Sequence, residues 1–394
     1  MTTLEDLTVP RVDQSGPASD APEFIYVDIG SIDNARKRIA EPKQLPVGDA
    51  PSRARQRLVT GDVLVSMTRP NLNAVAIVPP DLDGAVGSTG FHVLRVREGV
   101  VPEWLYYGVQ SRRFIEAMTA VVQGALYPAV RSKDIRAFAL PTPSVDEQRK
   151  IVAEIEKQFS RLDEAIAGLQ RTRRSLQKFR NSALLHAFAN EAADWAWATY
   201  SDVGEVTTGF TPPTSEATNF GGDVAFFKPT DLDQGDNVRV AREYLTVEGL
   251  SKGRKLRAGS VLVTCIGATI GKTGLAQVDC ATNQQINAVT PRDGLVDPRF
   301  LYWWTVSPMG RRQILDNASA TTLPIINKSK FSALRVPLPP IAEQAAIVAE
   351  VDRRLSIVRG VEAEVDANLK RAQALRQAIL AKAFAQPEDA HAPA

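Results

Sequence analysis

The residues whose types and spacing could do chemistry stand out first in Gly267-Ala-Thr-Ile-Gly271-Lys272-Thr273. Glycines followed by lysine and threonine, after an apolar run, could cradle a phosphate. A phosphate loop needs four residues between its glycines and a helix after them, so that amides wrap the anion. Here three residues separate the glycines, and Gly274-Leu-Ala-Gln-Val reads as another strand. The segment is expected to be a β-hairpin tip displaying Thr269 and Lys272. Glu41-Pro-Lys43 fits the acid-x-lysine fragment of nucleases, a pattern short enough to arise by chance. No Asn-Pro-Pro-aromatic stretch of an amino-methyltransferase is present, and no serine or cysteine nucleophile with a suitable histidine is visible. Two cysteines, Cys265 and Cys280, and three histidines rule out a disulfide framework and a four-thiolate zinc site.

What remains is the chemistry that reads base edges. Arginine pairs bidentately with guanine, and asparagine or glutamine with adenine. Arg53-Ala-Arg55-Gln-Arg57 and Arg69-Pro-Asn71-Leu-Asn73 mix guanidinium with amides. Later in the chain, Thr211-Pro-Pro-Thr214, Lys252-Gly-Arg254-Lys255 and Asn283-Gln284-Gln285 offer hydroxyl, cationic and amide groups in turn. The candidate DNA contacts are Arg53, Arg55, Arg69, Asn71, Tyr127, Arg131, Thr211, Lys228, Thr269, Lys272, Asn283, Gln284, Gln285 and Lys328. Taken singly, each is as well explained by an ordinary polar turn; only the set points to nucleic acid.

Elements must position these residues. The chain has 394 residues, enough for two or three domains. Its 47 basic and 45 acidic side chains give a formal charge of +2. A protein gripping DNA alone is usually more basic, so basic partners are expected beside it. No apolar run approaches a membrane span and Met1–Pro10 has no signal-peptide core, which reads as cytoplasmic.

The chain repeats itself. Residues 139–189 lie over 335–385 at a constant offset of 196, with 16 of 51 positions identical. Pro141, Pro143, Glu147, Gln148, Ile151, Val152, Ala153 and Glu154 meet Pro337, Pro339, Glu343, Gln344, Ile347, Val348, Ala349 and Glu350. Prolines block helix before them and tolerate it after. Ser144 and Glu147 read as a capping box. Apolar residues then recur at three- and four-residue steps to Phe188 and Phe384, as in coiled coils. About 45 residues make a rod of roughly 65 Å. Acids lie early and bases late in each copy, which suits the helix dipole. Two such stripes are expected to bury each other as an antiparallel pair.

The intervening parts read as strand-rich. Val63–Ser66, Val261–Ile266, Phe91–Val96 and Gln284–Val289 are expected strands. Pro102–Thr119 and Pro298–Leu315 are expected helices, with Trp104, Tyr106, Tyr107, Phe300, Tyr302, Trp303 and Trp304 on a core face. Copy two opens with Trp195, Trp197 and Gly204–Pro213, for which residues 1–23 show no counterpart.

The whole pattern resembles the specificity subunit of type I restriction-modification systems. The resemblance rests on Leu140-Pro-Thr-Pro-Ser-Val-Asp-Glu-Gln148 with Ile151-Val-Ala-Glu154, and Val336-Pro-Leu-Pro-Pro-Ile-Ala-Glu-Gln344 with Ile347-Val-Ala-Glu350. Gly204–Pro213, Gly267–Lys272, Asn283–Ile286 and Ala50–Arg55 add weaker matches. It implies an α+β chain in which two mixed α/β target-recognition domains are separated by two long antiparallel coiled-coil helices, a pseudo-twofold internal repeat. The implied boundaries are 1–140 and 190–336 for the recognition domains, 141–189 and 337–385 for the helices, and 386–394 for a flexible tail. It also implies double-stranded DNA as ligand, with each domain reading half of a split, asymmetric target about one helical turn apart. Two modification subunits would dock on the helices around Glu147, Gln148, Glu343 and Gln344, with restriction subunits joining them. The chain itself would carry no catalytic centre, metal or cofactor; S-adenosylmethionine, ATP and magnesium would belong to the partners. A coiled-coil scaffold without a DNA role, and a nucleotide-hydrolysing enzyme using Gly267–Thr273, are the rival readings.

Overall fold

A computed structural model describes residues 1–122, 128–189, 195–319 and 323–385. The tail from 386 onward, expected to be flexible, lies outside the described residues. The architecture is α+β, and the chain divides into two compact units. Unit 1 is Met1–Leu169 with Ala367–Ala394; unit 2 is Gln170–Asp366. No helix among the described residues is long and apolar enough to cross a membrane.

Two long helices cover Val145–Phe188 and Ile341–Ala383. The first starts where the prolines end, and the Ser144 hydroxyl accepts from the Glu147 amide at 3.4 Å. Each unit takes part of both helices because each core needs their apolar residues. In unit 1, Val152, Ile155 and Phe159 of the first helix, Leu380 of the second and Phe384 just after it pack on Trp104, Leu105, Val63 and Leu94. In unit 2, Ala183, Leu184 and Phe188 join Val351, Leu355 and Val358 against Phe300, Trp303 and Trp304. The aromatic stripes are core, as their spacing suggests. Trp104, Trp303 and Trp304 are fully buried. Trp303 donates to Asp352 and Trp304 to the Arg335 carbonyl, both at 3.0 Å, satisfying the indole N–H groups that burial would otherwise orphan.

In unit 1 the buried strand Val63–Ser66 runs antiparallel between Phe91–Leu94 and Val75–Ile77. A second sheet orders Lys43–Pro46, Glu23–Val27, Val86–Ser88 and Ala54–Arg57. In unit 2 the sheet orders Gly204–Thr208, Ile286–Pro291, Val261–Thr264 and Thr273–Leu275, all antiparallel. Beside it Phe220–Phe227 pairs with Glu243–Leu245 and, in parallel, with Cys280–Thr282.

Three expectations change. Pro102–Thr119 is two helices, Pro102–Gly108 and Arg112–Ala120, because the Ser111 hydroxyl caps a new start at the Phe114 amide. Pro298–Leu315 likewise breaks at Ser307-Pro308, where Ser307 caps the Gly310 amide at 3.1 Å and Pro308 cannot supply the N–H that would continue the first helix. Residues 1–23 do contain a counterpart to the opening of copy two. Thr2–Thr3 pairs with Ala139–Leu140 as Ala196–Thr199 pairs with Arg335–Leu338. Thr3 and Asp6 then form a capping box, as do Thr199 and Asp202. The two openings then diverge. Gly204–Thr208 continues along Ile286–Pro291, whereas the first copy leaves its sheet after the Val9 amide bonds to the Arg95 carbonyl. Pro10 follows, and without an N–H it cannot extend a ladder.

Candidate nucleic-acid interface

In unit 2 one end of the sheet gathers loops that are far apart in sequence. Thr208, Asn287, Ile286, Thr264 and Thr273 mark that end by register. The Gly209 amide bonds to the Ile286 carbonyl and the Phe210 amide to the Thr282 carbonyl. Gly209 is required there: a Cβ would stand 2.1 Å from the Asn283 carbonyl oxygen. The Thr211 hydroxyl donates to the Gln284 amide oxygen. The Cys265 amide bonds to the Gln285 carbonyl at 2.7 Å, the Ile326 amide to the Cys265 carbonyl at 3.0 Å, and the Gly267 amide to the Pro324 carbonyl at 2.9 Å. Thr211, Gln284, Gln285, Thr269 and the Asn327–Ser332 turn that carries Lys328 are thus tied to one surface.

Gly267–Thr273 is the hairpin its glycine spacing suggests. Val263 pairs with Thr273, and the Thr264 amide bonds to the Lys272 carbonyl. Thr269 is exposed at the tip. Lys272 pairs with Asp233 at 2.6 Å, and Lys228 is held by Glu243. Both lysines are half-buried while their acids are exposed, so the carboxylates are only loosely held at the ends of these pairs.

Asn283 does not present a base-reading edge. Its side chain is buried, donating to Gln285 at 3.0 Å and accepting from the Gln285 amide at 3.3 Å, so it positions Gln285 instead. The sequence reading overlooked Phe210 and Ile325, which are exposed beside these loops. Apolar groups at such a place suit the thymine methyl. The visible signal was an apolar residue, Phe210, lodged in a Gly-Pro-rich loop.

Unit 1 builds a related surface from its own residues. The Met67 amide bonds to the Gly90 carbonyl, the Val130 amide to the Met67 carbonyl, and the Arg69 amide to the Pro128 carbonyl. The Thr89 amide bonds to the Arg53 carbonyl, which brings the start of the Ala54–Arg57 strand to the same end. Arg53, Arg55, Arg69 and Asn71 are all exposed. Arg55 bonds to the Ser52 carbonyl, and Arg131 lies 3.3 Å from Asp134. Arg69 and Asn73 flank the short turn Pro70–Leu72, each with φ +48°, a strained choice for non-glycine residues. Asn73 is buried and donates to the Val109 carbonyl at 2.9 Å. Lys37, another left-handed residue, clamps the turn by donating to the Asn73 carbonyl. Burial among these groups, then the charge of Arg376, pulls its ammonium down to about 8. Tyr127 lies outside the described residues.

The helix-start residues behave differently from expectation. Gln148 and Gln344 are fully buried, so neither can face a partner. Gln148 accepts from the Val101 amide at 2.9 Å and donates to the Pro143 carbonyl at 2.9 Å. Gln344 accepts from the Asp297 amide and donates to the Pro339 carbonyl, both at 2.8 Å. Each glutamine stitches its helix start to the globular part of its own unit. Glu147 is exposed, and Glu343 accepts from the Trp195 indole at 3.2 Å. Open apolar surface lies farther along the helices. In unit 1, Ile151, Ile155, Leu375 and Ile379 line a groove of about 520 Å³. In unit 2, Phe179 and Ile357, both mostly exposed, border one of about 470 Å³.

Burial pushes the Cys265 thiol up to about 11 and the Cys280 thiol up to about 12, so both are inert as nucleophiles. Among the described residues, no three His, Cys, Asp or Glu side chains gather as a metal site.

Residues 193–365 match the family described as type I restriction modification DNA specificity domain. The chain is 25% identical over 393 residues to the HindI specificity subunit of Haemophilus influenzae, covering 81% of this chain and 85% of that one. A chain from a solved type I restriction-modification system, reported for complex assembly and conformational transition, superposes with a TM-score of 0.76 at 30% identity, covering 97% and 96% of the two chains. The HsdS subunit from Thermoanaerobacter tengcongensis is similar at 30% identity and a TM-score of 0.50, covering 97% and 95%.

Proposed function

Because the chain belongs to the specificity subunits of type I restriction-modification systems, which recognise DNA and do not catalyse, we propose that it reads a split, asymmetric target. Residues 1–140 read one half-site and residues 190–336 the other. The observation that carries this reading is a shared backbone frame presenting unlike side chains. Met67–Gly90, Val130–Met67 and Arg69–Pro128 bonds in unit 1 have the same form as Cys265–Gln285, Ile326–Cys265 and Gly267–Pro324 bonds in unit 2. One frame displays Arg53, Arg69 and Asn71; the other displays Thr211, Thr269, Gln284 and Gln285.

The helices, residues 141–189 and 337–385, act as an antiparallel coiled-coil pair related by the internal repeat, and set the spacer between half-sites. In support, residue numbers fall on one helix as they rise on the other. Arg376 bonds to Asp163 at 2.8 Å in unit 1, while Arg173 lies 3.9 Å from Asp366 in unit 2. The apolar grooves beside Leu375 and Phe179 are where modification subunits dock, two per chain. Those subunits bring S-adenosylmethionine, and restriction subunits bring ATP and magnesium. Nucleotide hydrolysis by this chain is disfavoured, since Gly267–Thr273 leads into a strand and Lys272 is paired with Asp233.

The test is to map methylated adenines in a genome with and without this gene, in the presence of its modification subunit. A bipartite motif that vanishes with the gene is expected. Exchanging residues 24–140 for those of a relative should alter one half of the motif alone, and inserting one helical turn into both helices should change the spacer. A contiguous motif, or an unchanged one, refutes the reading.

A further inference from the structure

Among the described residues, the sheet around Val63–Ser66 in unit 1 has three strands where its counterpart in unit 2 has four. No described strand lies beside Phe91–Val93 where Gly204–Thr208 lies beside Ile286–Pro291. The missing strand leaves a cavity of about 310 Å³, lined by Arg11, Gln14, Gln56, His92, Ser132 and Arg136 among others. We infer that this cavity is a seat for one backbone phosphate of the first half-site, gripped by Arg11 and Arg136 with His92 and Ser132 as neutral donors. The inference rests on the DNA-reading function proposed above.

Four observations converge. First, Arg136 lines the cavity and its side chain keeps about 30% of its surface exposed; its Nε is shut off from solvent, so an anion in the cavity meets the terminal nitrogens. Arg136 forms an ion pair, its terminal nitrogen lying 3.6 Å from the mostly exposed Glu5. Second, Arg11 is exposed at the rim. Two guanidinium groups on one cavity suit a phosphodiester, whose oxygens accept paired N–H bonds. Third, burial and then the charge of Arg136 hold His92 down to about 4, so its ring is a neutral hydrogen-bonding group at physiological pH. Fourth, the cavity adjoins the reading surface. Met67 and Thr89 line it, and their amides build that surface through Gly90 and Arg53. The gap opened by Pro10 therefore exchanges a strand for a polar pocket beside the base-reading loops.

The test uses the full chain with its modification subunit and a duplex of about 40 base pairs carrying the motif found by methylation mapping. Affinity is measured across about 50 to 200 mM salt. Replacing Arg11→Gln and Arg136→Gln together should lower the slope of log affinity against log salt by about 0.9, one phosphate's share. Affinity at physiological salt should fall about tenfold. The methylated motif should not change, because phosphate contacts carry no sequence information. Arg136→Lys should retain most of the slope. Arg11→Gln alone, at an exposed position that cannot unfold the domain, should lose part of it. An unchanged slope in both Arg11→Gln and the double variant overturns the seat while leaving the reading function intact. So does a loss of modification-subunit binding at constant slope, which would assign the cavity to an acidic protein segment. If the unmodified complex showed no preference for the mapped motif, the reading function itself would fail.

Discussion

Replacing Gln148 by alanine tests the claim that this residue locks a helix start and does not dock a partner. The side chain makes two good bonds, from the Val101 amide and to the Pro143 carbonyl, and a longer one of 3.4 Å to the Gly99 carbonyl. Gly99 is exposed and water can replace that bond. The other two leave an amide and a carbonyl partly shielded, costing about 1 to 1.5 kcal/mol each. Lost packing of a fully buried side chain raises the total to about 2 to 4 kcal/mol. Because the chain has two units, a single unfolding free energy is a poor readout. Hydrogen exchange is better. Protection of the Val101 amide and of the amides around 145–160 should fall about thirtyfold to a thousandfold. Protection around Asp297 should hold, and Gln344→Ala should show the reverse pattern. Exchange altered less than threefold near Val101, together with loss of modification-subunit binding, would refute the lock and restore the docking role.

Other consequences follow from burial. His92 has a folded pKa depressed from 6.5 to about 4, so the unfolded state binds the proton first as pH falls. Stability is therefore full above about 6.5 and is lost progressively down to about 4, by up to about 3 kcal/mol; a pH titration of unit 1 melting should show this, and His92→Gln should flatten it. Cys265 and Cys280 should resist thiol reagents at pH 8 in the native protein and react on unfolding; rapid native labelling would contradict their buried placement. Gly209→Ala should displace the Thr211 and Gln284 loops, since its Cβ has no room beside the Thr282 and Asn283 carbonyls. Motif mapping should then show a degraded second half-site and an intact first one.

Much of the architecture was legible because it is local or periodic. The proline stops, the long apolar stripes and the 196-residue offset depend on spacing along the chain, and each left its mark there. The hairpin at Gly267–Thr273 was readable for the same reason: glycine count and the following strand decide it. The helices at Pro102 and Pro298 were read too long, because a serine cap after an unbroken apolar pattern acts through one hydroxyl. The likeness between Thr3–Asp6 and Thr199–Asp202 escaped notice because it resides in cap geometry and strand pairing, with few identical residues.

The sequence alone determined the 196-residue offset between two matching segments and the long helices that follow their prolines, because such matches and helix periods are properties of order along the chain. Only the tertiary structure decided which polar residues are available. Gln148, Gln344 and Asn283 carry the same groups as Gln284 and Asn71, yet the first three spend theirs inside the protein while the latter stand at a surface. That difference comes from which backbone amides and carbonyls, more than 40 residues away for the glutamines, arrive within hydrogen-bond reach.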